Sequence, residues 1–101
     1  MSVLLELSMF PTDKGKSVSE YVTKIIKMID QNDLDYQLTA MGTIVETETL
    51  EEALSVINKS YLVLEPYSER VFASVTLDIQ KGKSERLVGK VKSVLDKIDN
   101  C

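Results

Sequence analysis

The sequence predicts an α+β sandwich in which helices cover one face of a four-stranded sheet. Three stretches alternate apolar with other residues, as strands do, a fourth short stretch is rich in β-branched residues, and two others repeat apolar residues at helical spacing. These stretches follow one another in the order β-α-β-β-α-β, and a third helical stretch ends the chain. A length of 101 residues suits one domain, so residues 1–101 are predicted to form a single domain.

The first strand and the first helix have clear sequence limits. Residues 3–10 alternate, with Val, Leu and Met on one face, and Pro11 is expected to end this strand. Valines and isoleucines then recur at helical spacing over 18–31. Ser17 and Glu20 have the spacing of a capping box, which predicts the start of this helix.

A hairpin and a second helix follow. Residues 35–48 contain two short β-rich runs, and Gly42 between them is expected to supply the positive φ of a tight connection. Thr49 and Glu52 form a second predicted capping box. A helical stripe from there to about residue 64 predicts the second helix.

The last strand covers 70–80, and Ser84 is expected to cap a final helix. Right-handed crossovers and antiparallel pairing then favour a ferredoxin-like βαββαβ sandwich with an additional C-terminal helix. The sheet face away from the helices would carry Leu4, Phe10 and Phe72. We therefore expect a partner subunit over part of that face.

Composition excludes several classes of function. The chain has no His, so His-based acid–base catalysis and Ser-His-Asp or Cys-His nucleophiles are excluded. Its one cysteine, Cys101, forms no internal disulfide or thiolate metal cage; we expect an inert tail and a cytoplasmic protein. A formal charge of −4 argues against nucleic acid and anionic membranes as partners. No run approaches the roughly 18 apolar residues of a membrane span, and no signal peptide is expected.

Two carboxylates stand out because they lie inside predicted strands. Glu6 and Glu46 fall on neighbouring central strands, where Ser8, Thr43 and Asp78 could join them in binding a small polar or cationic ligand. The other interpretation is a solvated sheet face or a polar subunit interface, and the residues alone favour it.

Other functions of the same topology leave sequence signatures that can be tested. An RNA-recognition module needs aromatic residues on its third strand, which here contains TIVET. A metallochaperone needs a C-x-x-C loop, and an acylphosphatase-like enzyme needs an arginine in the loop after the first strand. That loop, PTDKGKS, has none. Ligand binding or a purely structural, regulatory assembly role remains.

Five segments resemble one known family, the small thiamine-binding proteins related to a tandem-domain protein that binds hydroxymethylpyrimidine and thiamine. They are residues 6–11, 17–22, 36–46, 70–71 and 90–94. The most specific piece is the M-G-T-x-x-E run from Met41 to Glu46. The sequence departs from the family pattern at Thr47, where a glycine is expected, at Gln80-Lys81, where a basic residue is expected, and in the loop after Pro11.

The resemblance implies a ferredoxin-like fold, a dimer of dimers, and non-catalytic binding of thiamine or its hydroxymethylpyrimidine moiety, without a cofactor or metal. The implied ligand-binding residues match or flank the family motifs: Ser8, Tyr36, Met41, Gly42, Thr43 and Glu46. Glu46 would accept a hydrogen bond from the exocyclic amine. The alternative is an oligomeric structural or regulatory domain without a ligand.

Overall fold

The computed structural model describes residues 1–99 and confirms the predicted fold class. An antiparallel sheet of order β2-β3-β1-β4 is combined with three helices. Cys101 lies outside the described residues. The elements are β1 (Ser2–Pro11), α1 (Ser19–Gln31), β2 (Asp35–Thr39), β3 (Gly42–Thr47), α2 (Leu50–Leu64), a 3-10 turn (Glu65–Tyr67), β4 (Val71–Gln80) and α3 (Arg86–Asp99).

The core lies between the sheet and the helices α1 and α2. Every second residue of β1, from Val3 to Met9, points toward these helices and is buried, as the alternation predicts. The buried apolar cluster comprises Leu5, Leu7, Met9, Ile25, Ile29, Val45, Val56 and Leu64. The longest described helix, α2, has 15 residues, and none of the described helices is an apolar segment that could span a bilayer.

The two predicted capping boxes have different outcomes. Thr49 is extended, and its hydroxyl accepts a 3.1 Å hydrogen bond from the Glu52 amide, so the predicted cap of α2 is confirmed. The predicted cap of α1 is wrong. Its N-cap position is Val18, which offers no side-chain acceptor, so Ser17 lies one residue too early.

Gly42 is required by a close approach of two strands. The expected positive φ is wrong, since the positive-φ glycines are Gly15 and Gly82. A Cβ at Gly42 would instead lie 3.0 Å from the Leu7 carbonyl oxygen. The Thr39 hydroxyl closes the turn by accepting from the amides of Met41 and Gly42, at 3.2 Å each, and donating to the Gly42 carbonyl. The hairpin therefore turns immediately beside β1.

A group of polar residues that we call the clamp fixes the start of α3 to the sheet: Ser2, Glu46, Asp78 and Arg86. The Glu46 carboxylate accepts from the amides of Arg86 and Leu87, at 2.8 and 3.1 Å, and from the Ser2 hydroxyl. The Arg86 guanidinium is buried and donates to the carbonyls of Ser2 and Asp78, at 2.7 Å each. It also pairs with the Asp78 carboxylate at 2.9 Å.

The clamp replaces the cap that the sequence suggests for α3. The helix begins at Arg86 rather than directly after Ser84, and its first amides bind a carboxylate from a distant strand. Burial raises the pKa of Glu46, but the hydrogen bonds from Ser2, Arg86 and Leu87 outweigh it and hold that pKa below the usual value of 4.5. A negative charge at a helix N-terminus also matches the helix dipole.

Replacing the clamp carboxylate should destabilise the fold at neutral pH. We expect Glu46→Gln to lower the free energy of unfolding by about 1–3 kcal/mol, because charge-assisted hydrogen bonds to the α3 amides are lost. The folded-state pKa is depressed, so the stabilisation is present above pH 4.5 and is lost as the pH falls through the folded-state value. Urea denaturation at neutral and acid pH measures both effects. The exposed neighbour Glu48 is the control, and Glu48→Gln should stay within about 0.5 kcal/mol.

Two glycines should respond oppositely to alanine. Gly42→Ala should destabilise the protein by about 1–3 kcal/mol, because the new Cβ meets the backbone of Leu7. Gly89→Ala in α3 meets no atom within 4 Å and should be neutral or stabilise by up to about 1 kcal/mol. Thermal unfolding of both variants measures the difference, and an equal response would contradict the close approach at Gly42.

Candidate ligand-binding site

A cleft opens at the end of the sheet where β3 begins; we call it the end cleft. It has a volume of about 210 Å³ and lies between β1, the β2–β3 turn and α1. Its lining consists of residues 7–10 of β1, residues 38–43 of the hairpin, and Val18, Val22 and Ile25.

The floor of the end cleft is a stretch of central strand that is paired on one side only. Pairing of β1 with β3 runs only as far as Leu7 opposite Thr43, whereas pairing with β4 continues to Pro11. The Leu7 carbonyl faces Gly42. Leu7 and Met9 are alternate residues of β1, so their backbone groups point to the same side of the strand. The amide and carbonyl of Met9 therefore point to the side of β3, but past the end of that strand. A donor and an acceptor of the backbone therefore face the cleft.

Two hydroxyl groups belong to this end of the sheet, those of Ser8 and Thr43, and both residues line the end cleft. Thr43 is only 5% exposed and points toward the helices, whereas the Ser8 side chain, between the buried Leu7 and Met9 of β1, points to the other face of the sheet. Among residues 1–99 neither hydroxyl has a hydrogen-bond partner, and no fully buried side-chain polar atom lacks one, so the Thr43 hydroxyl is accessible from the cleft. The third hydroxyl, of Thr39, is occupied by the turn. The cleft thus offers one free hydroxyl, that of Thr43, to an occupant on the helix side of the sheet.

The rest of the lining is apolar and uncharged. The apolar side chains around the polar floor on the helix side come from Val18, Val22, Ile25, Leu38 and Met41. No residue of the lining carries an ionisable side chain. Met41 is 83% exposed at the mouth, where its flexible thioether is free to fold over an occupant. This arrangement suits a small, flat, neutral ring with hydrogen-bond donors and acceptors on its edge.

Four of the six residues implied by the resemblance meet in the end cleft, namely Ser8, Met41, Gly42 and Thr43. Tyr36 lies outside it, in a neighbouring groove between α1 and β2. Its hydroxyl donates to the Asp30 carboxylate at 3.2 Å, and this hydrogen bond, together with burial and the Asp30 charge, raises the pKa of Tyr36.

Glu46 is at the far end of β3, and the expected pairing of Glu46 with Thr43 is wrong. The two residues lie three positions apart on one strand, so their side chains point to opposite faces of the sheet. Thr43 faces the helices, whereas Glu46 lies on the other face and belongs to the clamp. The sequence-based expectation put Glu46 and Thr43 side by side because it did not apply the alternation of side chains between the two faces of a strand.

The other expected polar neighbours do not converge either. Glu6 lies opposite Ile44, on the same sheet face as Glu46 and diagonal to it, and is exposed to solvent. Asp78 is held by Arg86 and by Lys90, at 2.9 and 3.0 Å. Within residues 1–99 no three acidic or cysteine side chains are close enough to hold a metal ion.

Several residues of the end cleft have no counterpart among the expected site residues. Val18, Val22 and Thr39 line it, and Met9 contributes its backbone. One signal was present in the sequence. The first strand pattern is longer than either strand of the hairpin, so part of a central strand must remain without a neighbour on one side.

Comparison with known proteins agrees with this fold. A family model described as thiamine-binding protein matches residues 5–95. The UPF0045 protein MJ1052 of Methanocaldococcus jannaschii is 34% identical over 92 residues, which cover 91% of each chain. The UPF0045 protein Mb1933 of Mycobacterium bovis is 31% identical over 94 residues, covering 93% of this chain and 92% of the relative.

Solved structures superpose closely on the chain. The crystal structure of MJ1052 has a TM-score of 0.80 at 35% identity and covers 92% of this chain and 95% of that one. A Thermotoga maritima protein with a provisional assignment to thiamine biosynthesis or salvage has a TM-score of 0.75 at 22% identity, covering 90% and 99%. At that identity the likeness concerns the fold alone. The family model covers nine-tenths of the sequence, and the chain therefore belongs to the thiamine-binding protein family.

Proposed function

We propose that the chain binds the aminopyrimidine ring of thiamine, or the free hydroxymethylpyrimidine, in the end cleft and does not convert it. The observation that carries the proposal is the unpaired backbone of Met9 beside the free hydroxyl of Thr43. Family membership supports a small-molecule ligand related to thiamine.

The hydrogen-bonding groups of the cleft complement those of an aminopyrimidine. The Met9 carbonyl would accept from the exocyclic amine, and the Met9 amide would donate to the adjacent ring nitrogen. This pair of bonds continues the ladder that β3 leaves unfinished. The hydroxyl of Thr43 can both donate and accept, so it suits the remaining ring nitrogen or a hydroxymethyl group.

Size and charge favour the pyrimidine ring as the buried part of the ligand. A volume of about 210 Å³ lies below the 300–1,000 Å³ of pockets that hold drug-sized ligands, and it matches a single ring. Burying a cation without a charged partner is costly. The positively charged thiazolium of thiamine would therefore remain at the mouth of the cleft, beside Met41, rather than enter it.

The departures from the family pattern lie mostly away from the end cleft. Thr47 ends β3, and its hydroxyl donates to the Thr49 carbonyl, so it is part of the connection to α2. Gln80 ends β4, opposite Ser2. Both positions are at the clamp end of the sheet. This placement leaves the pyrimidine site unaffected by these two changes.

We further propose that the protein acts in the cytoplasm as a homo-oligomer, a dimer of dimers, with no catalytic step. The sheet face away from α1 and α2 supports the assembly, because Phe10 and the exposed Phe72 stack there at 5.7 Å between ring centroids. The competing function, a structural or regulatory oligomer without a ligand, would leave the end cleft unused.

Titration calorimetry with hydroxymethylpyrimidine and with thiamine tests the ligand proposal. Both ligands should bind. Thr43→Val should weaken the binding of each by about 3- to 10-fold, because one hydrogen bond contributes about 0.5–1.5 kcal/mol to the free energy of binding. The substitution keeps the shape of the side chain and removes only its hydroxyl. Thr76→Val on the exposed β4 is the matched control and should bind like the unaltered protein. No heat with either ligand would favour the ligand-free alternative.

A further inference from the structure

We propose that a groove between α1 and β2 binds the thiazolium ring of thiamine, so that the protein prefers thiamine to free hydroxymethylpyrimidine. This inference rests on the proposed pyrimidine site and adds a subsite for a cation beside it. We call the groove the side groove; it has a volume of about 480 Å³. Its walls are one side of α1 and the residues Tyr36 and Leu38 of β2.

The side groove begins where the end cleft ends. Val22 and Leu38 line both surfaces. Leu38 lies opposite Thr43 in the pairing of β2 with β3, so the two side chains share the helix-covered face of the sheet. A pyrimidine ring bonded to the Thr43 hydroxyl is therefore next to the start of the side groove, and the thiazolium at the mouth of the cleft has this groove beside it.

The spacing of the groove residues suits the linkage of the two rings in thiamine. Tyr36 and Leu38 are alternate residues of β2, so their side chains lie on the same face, roughly 6.5 Å apart along the strand. One methylene group joins the two rings of thiamine, which keeps their centres within that interval. With the pyrimidine ring beside Thr43 and Leu38, the thiazolium therefore reaches Tyr36.

Tyr36 offers an aromatic face to the cation. Its side chain is half-buried in the side groove, and its hydroxyl donates a 3.2 Å hydrogen bond to the Asp30 carboxylate, which ties the ring to α1. A cation within about 6 Å of an aromatic ring centre is attracted by the negative face of the ring. The subsite therefore accounts for the one uncharged residue that the resemblance implies as ligand-binding and that lies outside the end cleft.

Asp30 adds a negative charge at the same end of the groove. Its side chain is exposed, and the ion pairs formed among residues 1–99 all involve Asp78, so within this part of the chain no cation pairs with Asp30. The end cleft has no ionisable residue in its lining. A cation that extends from the cleft into the side groove therefore gains an attraction that the free pyrimidine does not.

Lys27 is the opposing charge of the side groove. It lies one helical turn from Asp30, and its ammonium ends an exposed, flexible stem that can extend into water. The Asp30 carboxylate, in contrast, is held in place by Tyr36. Ile26 and Leu38 make the walls between them apolar. Apolar walls with one fixed carboxylate suit a flat ring that carries a delocalised positive charge, whereas a neutral ring gains nothing from Asp30.

Titration calorimetry with thiamine, hydroxymethylpyrimidine and deazathiamine tests the side groove. Deazathiamine is a neutral isostere of thiamine, in which a thiophene replaces the thiazolium. Asp30→Asn should weaken thiamine binding by about two- to fivefold, the effect of one charge pair at an exposed site, and leave the other two ligands unchanged. Asp96→Asn, on the exposed surface of α3, removes the same charge away from the groove and should change the binding of none of the three.

Substitutions of Tyr36 separate the contribution of its ring from that of its hydroxyl. Tyr36→Leu should weaken thiamine binding by about two- to fivefold, whereas Tyr36→Phe keeps the aromatic face and should retain most of the affinity. Hydroxymethylpyrimidine should bind both variants as it binds the unaltered protein, which also shows that they are folded.

The outcomes distinguish the side groove from the pyrimidine site. The unaltered protein should prefer thiamine to deazathiamine, and added salt should narrow this preference because the Asp30 carboxylate is exposed. Equal affinity for these two ligands, or unchanged thiamine binding by Asp30→Asn, would overturn the side groove while hydroxymethylpyrimidine still binds. Unchanged binding by Tyr36→Leu alone would remove Tyr36 from the subsite. Absence of hydroxymethylpyrimidine binding would overturn the pyrimidine site and the side groove with it.

Discussion

The pairing of β1 with β3 stops at Leu7 opposite Thr43, and the rest of the site depends on where it stops. Gly42 allows the hairpin to turn against the Leu7 carbonyl, and the Thr39 hydroxyl closes that turn. The hairpin ends there, while β1 continues to Pro11 along β4. A central strand is therefore left with one unpaired edge beside buried apolar residues, an arrangement that offers a ligand both polar groups and exclusion of water.

The two ends of the sheet have different chemistry. At the cleft end the lining is uncharged and the Thr43 hydroxyl is free. At the clamp end Glu46 and Arg86 are consumed by the attachment of α3, each holding several backbone groups. A carboxylate so occupied would have to give up the helix amides to bind a ligand. The proposed recognition by neutral groups is therefore assigned to one end of the sheet, and the anchoring of α3 by charged groups lies at the other.

Much of the fold could be predicted because its cause is local. The alternation in β1 and β4 and the apolar spacing in α1 and α2 fix the elements, and handedness rules order the strands. The site was harder, since which hydroxyl is free and which carboxylate is occupied depends on contacts distant in sequence. Glu46 caps a helix 40 residues later, and no local pattern marks such a partner. Gly42 was identified as a residue that the hairpin requires, but the expected reason, a positive φ, is not the observed one.

The most direct test of the account follows the backbone amides by NMR while hydroxymethylpyrimidine is added. The amide resonances of Met9 and Thr43 should shift most, with smaller shifts at their neighbours in the end cleft. The amides of Arg86 and Leu87, bound to Glu46 in the clamp, should stay in place. Shifts centred on the clamp, or an unchanged Met9 resonance at saturating ligand, would contradict the claim that the unfinished edge of β1 holds the pyrimidine ring.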